Sequence, residues 1–220
     1  MSDEPSVSPD ALKRKQRSMA QLAAEDVPTV DHLPVIESQA EVTLRSTEDA
    51  AVRAMALMVV AVKGEGLEQE RLDGIVEKYQ LADAFSPNET AFMRDTSPSQ
   101  HDSVQFLWRY EAANTLLWAL GFLSELGRPE AICDAAHVTL FLQQRSRDQF
   151  IADARLRPVD EILDQADLIY RYNWAVRNAR INRHEAPAGL DAGIIQERHY
   201  ALNWLIGHMG QDWDDISTDT

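Results

Sequence analysis

The stretch from residue 102 to residue 126 constrains the fold more than any other part of the chain. Phe106, Leu107, Trp108, Leu116, Leu117, Trp118, Leu120, Phe122 and Leu123 stand, at about 100° per residue, in every direction of a helical wheel. A helix apolar on all sides has no face to give to water, so it is expected at the centre with other helices wrapped around it. Residues 50–62 form a second segment that is apolar on most faces. Ser46 and Asp49 stand at capping-box spacing before it, and Lys63-Gly64 closes it.

Shorter amphipathic pieces surround these two. Asp10 is expected to cap a helix that turns Leu12, Met19 and Leu22 inward and leaves Lys13, Arg14, Lys15 and Arg17 in solvent. Leu72, Ile75, Val76 and Tyr79 share a face over residues 67–79, and Ser86-Pro87-Asn88-Glu89 opens a short helix by cap, N1 proline and N3 acid. Two or three short helices follow Gly127-Arg128-Pro129, with Ser146 as a cap. Pro158 starts a long helix that runs to about Arg180, and a last one spans about residues 191–209. Residues 27–45 carry Pro28 and Pro34 and lack a helical period. They read as an extended connector, with Val35, Ile36, Val42 and Leu44 pairing as a short strand edge. The fold class is therefore all-α, an irregular multi-helix bundle around a central apolar helix, with a short strand pair near residues 35–45 as the exception. A length of 220 residues with 45% apolar content suits one helical domain, residues 10–220, behind a flexible start at residues 1–9. Trp213 and Ile216 in the acidic end segment predict that residues 210–220 fold back onto the body.

Thirty-six acidic against 21 basic side chains give a net charge of -15, which repels phosphate backbones and anionic lipid. Nucleic acid and membrane are therefore not expected as partners. No run approaches the roughly eighteen apolar residues of a membrane span, and the start shows no basic cap before an apolar run. A soluble, cytoplasmic protein is expected. Its single cysteine, Cys133, lies in the apolar run after Ala131 and Ile132 and reads as a buried, inert thiol. The negative field favours a basic protein partner, and the five tryptophans leave room for a homo-oligomer. Phosphate-binding loops, nucleophile elbows, His-Glu-x-x-His and Cys-x-x-Cys are all absent, so no motif specifies a cofactor or a small-molecule ligand.

Several runs are distinctive: His32-Leu33-Pro34-Val35-Ile36-Glu37-Ser38, Lys63-Gly64-Glu65-Gly66-Leu67, Gln105-Phe106-Leu107-Trp108-Arg109-Tyr110-Glu111-Ala112 and Ala166-Asp167-Leu168-Ile169-Tyr170-Arg171-Tyr172. With Glu197-Arg198-His199-Tyr200-Ala201-Leu202-Asn203-Trp204 and Trp213-Asp214-Asp215, they resemble a bacterial family of unknown function, domain family 4272, from about Arg17 to the end of the chain. The resemblance implies relatives and no chemistry, so the side chains must be weighed on their own.

Arg109 and Glu111 interrupt the central apolar helix, and either charge buried alone would cost several kcal/mol, so both need partners. Arg171, Tyr172 and Asn173 on the long helix and Glu197, Arg198, His199 and Asn203 on the last one can supply them. His199 and Asn203 are one turn apart beside Ile195, Leu202 and Ile206, at the edge of the core. One reading is a satisfied network that fixes helix register. The other is a polar site in which Glu111, His199 and Arg171 carry catalysis while Arg109, Tyr172, Asn173, Glu197 and Asn203 bind. Asp160, Asp164 and Asp167 line one helix face and can hold a hard cation. A solvated stripe favoured by the helix dipole, with Asp167 paired to Arg171, is the alternative. Asp212, Asp214, Asp215 and Asp219 form a third acidic cluster near Trp213. Taken together, these features favour a binding or interaction module that engages a basic protein partner. The alternative is a hydrolase-like small-molecule enzyme with its site inside the bundle, metal-assisted or not.

Overall fold

A computed structural model describes residues 7–220, and among them every regular element is helical. The helices are α1 (Pro9–Ala24), α2 (Thr47–Gly64), α3 (Gln69–Lys78), α4 (Pro87–Arg94), α5 (Gln100–Leu107), α6 (Arg109–Ala119), α7 (Ala135–Gln143), α8 (Arg147–Asp153), α9 (Val159–Ile181) and α10 (Ala192–Leu205). Of the expected flexible start, residues 1–6 lie outside the described residues, while Pro9 already stands at the first position of α1 behind Ser8.

The all-α class holds, but the centre differs from the single helix expected over residues 102–126. That stretch is two helices with a break at Trp108, followed by a turn. Gly121, at φ 77°, explains the early end of α6. Its N–H donates to the Trp118 carbonyl and that of Phe122 to the Leu117 carbonyl, a left-handed cap that a glycine at this place invites. At the break, the Trp108 ring is seated on Gly193 of α10, where a Cβ would come within 2.5 Å of it. Two helices are buried all round: α6, from Tyr110 to Ala119, and α2, nearly throughout from Ala50 to Ala61, as the apolarity of residues 50–62 on most faces implies.

From this pair the layers follow in order. α6 lies between α2 and α10, α10 between α6 and α9, and α1 along the far side of α9, while α5, α8, α3, α4 and α7 close over α2. Caps read from the sequence start several of these helices. Ser86 with Glu89 and Ser146 with Gln149 form complete capping boxes, and Ser46 accepts from the Asp49 N–H at 3.0 Å.

No strand forms over residues 35–45 among the described residues. Along the 27–45 connector, carbonyls from Asp31 to Glu37 are taken by side chains instead. Lys15 donates to those of Asp31 and Leu33 at 2.6 Å each, Arg14 to that of Glu37 at 3.1 Å and Arg171 to that of Pro34 at 3.2 Å. Arg14, expected in solvent, is consequently buried, with ion pairs to Asp10 and Asp164.

A second charge is locked deeper. Glu89 is fully buried at the start of α4, and both its oxygens accept from Arg53 of α2, whose guanidinium lies 4.4 Å from the centre of the Trp213 ring. Removing one partner strands the other, so Glu89→Ala is expected to cost about 3–5 kcal/mol, whereas Arg53→Met with Glu89→Leu recovers most of the loss. Urea denaturation checks both, and a single-variant loss under about 1 kcal/mol would show that the pair is solvated.

Candidate functional site

The polar residues expected to converge are distributed over separate places. Arg109 meets Glu197, with Nη1 2.9 and 3.0 Å from the two carboxylate oxygens, and its guanidinium lies 5.2 Å from the Tyr200 ring and 5.8 Å from that of Trp213. Arg171 is committed to Asp167 at 2.7 and 2.8 Å and to the Pro34 carbonyl. Tyr172 donates its hydroxyl to Glu25, which also takes Arg128 at 3.0 Å. Glu111 accepts from the Cys133 N–H and approaches neither Arg171 nor His199 in a hydrogen bond. The proposed catalytic trio of Glu111, His199 and Arg171 is thus not assembled.

Asn173 and Asn203 do a different job: they hold the end of the chain. Asn173 donates to the Thr218 carbonyl and Asn203 to the Ser217 carbonyl, each at 2.8 Å, and Arg45 reaches the Gln211 carbonyl at 2.8 Å. Tyr200 donates to the Trp213 carbonyl, and Trp213 packs edge-on against Tyr200 and Trp204. The fold-back expected from Trp213 and Ile216 is present, with both side chains buried.

Where this segment passes the 27–45 connector, a cavity of about 400 Å³ opens. Its inner wall is His199, Asn203 and Tyr170, and its rim carries Glu37, Glu41, Asp219 and His208. His199 is only 2% exposed, and its Nδ1 has no hydrogen-bond partner. Burial, with the charge of His208 second, pushes its pKa down to about 3, so at neutral pH the ring is uncharged and one nitrogen carries a free lone pair. At the rim, His208 Nδ1 lies 2.5 Å from Glu37 Oε1. That contact holds the imidazole above its ordinary range and the carboxyl below its own. An uncharged acceptor beneath a carboxylate rim suits a cationic group that also donates a hydrogen bond.

The other acidic candidates have owners. Asp160 is exposed, Asp164 pairs with Arg14 and Arg17, and Asp167 pairs with Arg171. Among the described residues no cluster of His, Cys, Asp and Glu is arranged to hold a metal ion. Of the end-segment acids, Asp214 accepts from the Asn88 N–H at 2.8 Å and Asp219 lies 3.4 Å from Arg177. Sequence reasoning missed Glu37, Glu41, Tyr170 and His208. Only the runs that carry Glu37 and Tyr170 drew notice, and nothing local places Glu37 opposite a histidine 171 positions away.

Residues 14–216 match the family described as a domain of unknown function, DUF4272. No curated protein and no solved structure matches the chain.

Two outcomes are expected. Asn173→Ala combined with Asn203→Ala removes both amide clasps, so hydrogen exchange over residues 211–218 should accelerate while α2 and α6 stay protected; unchanged exchange would mean that Trp213 alone holds the segment. The second concerns pH. His199 has an ordinary value of 6.5 when unfolded and about 3 when folded, so its contribution is complete above 6.5 and is lost as pH falls. His208 shifts the opposite way, and its contribution is complete below 6.5. That of Glu37 fades only below 4.5, so neither tilts the interval between. Burial raises the Glu197 carboxyl above 4.5, which offsets part of the loss, so stability should fall from about pH 6.5 to about pH 5 by on the order of 1 kcal/mol, and by measurably less in His199→Phe, as read from denaturant midpoints.

Proposed function

The chain belongs to the DUF4272 family, and we propose that it is an interaction module of the bacterial cytosol that seats a basic side chain of a protein partner in the cavity floored by His199. The observation that carries this reading is the buried, uncharged imidazole with an unpartnered Nδ1 beneath Glu37, Glu41 and Asp219. A lysine or arginine head entering there meets Glu41, which has no basic partner among the described residues, competes with His208 for Glu37 and with Arg177 for Asp219, takes the imidazole lone pair as acceptor and faces the Tyr170 ring. The net charge of -15 supports the same polarity of partner at longer range, through steering.

The hydrolase-like alternative has less support from the same geometry. A base with a pKa of about 3 takes little part in proton transfer at neutral pH, because general-base catalysis works best with a pKa near the operating pH. Arg171, which was to share the site, already donates to both oxygens of Asp167. The cytosolic setting rests on the lone Cys133, which has no partner for an internal disulfide, and is consistent with the lack, among the described residues, of a helix long and apolar enough to cross a membrane.

Short peptides with one Lys or Arg between neutral residues test the reading directly against their acetyl-lysine and citrulline counterparts by calorimetry. Binding is expected for the charged forms alone, about tenfold weaker at physiological than at low salt, and weakened again by Glu37→Gln and by His199→Phe. Equal binding of the neutral peptides, or no binding to either, would sink the reading.

A further inference from the structure

A second cavity, which shares no lining residue with the first, has a different character. It measures about 350 Å³ and is walled by Val104, Leu107, Trp108, Ile132 and Cys133 at the break between α5 and α6, with Glu111 among its lining side chains. Glu111 is 2% exposed. One of its oxygens accepts the Cys133 N–H, while Oε2 is buried without a main-chain, charged or amide donor among the described residues, the weakly donating Cys133 thiol being the polar group beside the carboxylate. Arg198 is the cation that acts on it by charge, yet its two Nη groups donate to the Gly127 carbonyl at 2.8 Å and the Leu126 carbonyl at 3.1 Å, and its Nε makes no hydrogen bond to the carboxylate. A buried carboxylate oxygen left unbonded costs free energy that a bound donor would recover.

The rest of the wall adds little polarity. Burial, and then the neighbouring Glu111, keep the Cys133 thiol protonated, and burial does the same for the Tyr110 phenol, so neither contributes charge at neutral pH. Glu65 stands exposed at the rim as a second negative group. At the mouth, Ile132 is 71% exposed and Val104 45%, an unusual position for large apolar side chains unless something apolar passes over them. An apolar wall, a single unbonded acceptor inside it and a negative rim select one ligand class.

We propose that this cavity binds a small apolar amine, its alkyl or aryl body against Leu107, Trp108 and Ile132 and its ammonium on Glu111 Oε2. The site is separate from the His199 cavity and does not depend on the role proposed for it.

The test uses the whole protein with 2-phenylethylamine as the probe and ethylbenzene as its apolar match, followed by chemical-shift changes around Trp108 and Cys133. The amine is expected to bind, and ethylbenzene to bind about tenfold more weakly or not at all. Glu111→Gln keeps an oxygen for the Cys133 N–H but turns a donor toward the ammonium, so amine binding should drop about tenfold while ethylbenzene is unaffected. If that variant fails to fold, Ile132→Arg at the exposed mouth serves instead, repelling the amine and sparing ethylbenzene. Equal binding of the two probes, amine binding untouched by both variants, or no binding of the amine would each overturn the proposal.

Discussion

Side-chain donors reaching main-chain carbonyls hold this structure together wherever the helices stop. An irregular segment laid over a core must satisfy its backbone polar groups somewhere, and a chain without a sheet has few ways to do it. Here Arg14, Lys15 and Arg171 serve the 27–45 connector, and Arg157 and Arg198 serve the turn after α6, through the carbonyls of Trp118, Leu123 and Ser124 and of Leu126 and Gly127. Arg45, Asn173, Asn203 and Tyr200 serve the end segment. A guanidinium offers five donors in a fixed fork, which suits it to two carbonyls from a bend at once.

That use of arginine accounts for the electrostatics of both cavities. Basic groups are few, and many are drawn inward to carbonyls, to buried carboxylates such as Glu89 and Asp167, or to the half-buried Glu197. Fewer bases are left to the surface acids: at the rim of the His199 cavity Glu37 keeps His208 and Asp219 keeps Arg177, while Glu41, among the described residues, accepts only from Ser38. The same inward demand explains why the face of α1 that carries Arg14 is not a basic surface patch: Arg14 is buried against Asp10 and Asp164, while Lys15 is pinned to the connector.

The helical fold was readable because its signals are local. Ser86-Pro87-Asn88-Glu89 and Ser146 with Gln149 start α4 and α8 as their spacing requires, Pro158 opens α9, and the all-round apolarity of residues 110–119 marks a buried helix. Gly121 was equally local, and it is the signal that would have ended the central helix in the right place. The break at Trp108 was not readable, since its counterpart is Gly193 on another helix. Site residues failed for the same reason. Glu37 and His208 are brought together only by the path of two irregular segments, and an extended proline-bearing run looks the same in sequence whether a strand or a set of lysine and arginine side chains takes up its carbonyls.

Glu197, Arg198 and His199 show how periodicity places such residues and how it misleads. Consecutive positions on a helix point about 100° apart, so on a helix buried on most sides three neighbouring polar residues cannot share one site. Glu197 turns to Arg109 on α6, Arg198 to the turn beyond α6, and His199 to the cavity under the end segment. Reading them as one network joined what the helix separates. The His199 and Glu111 cavities likewise share no lining residue, and only the first is lined by α10. Substitutions in one should therefore leave ligand binding in the other unchanged, because coupling needs shared partners or a common two-state element, and α10 is packed rigidly between α6 and α9.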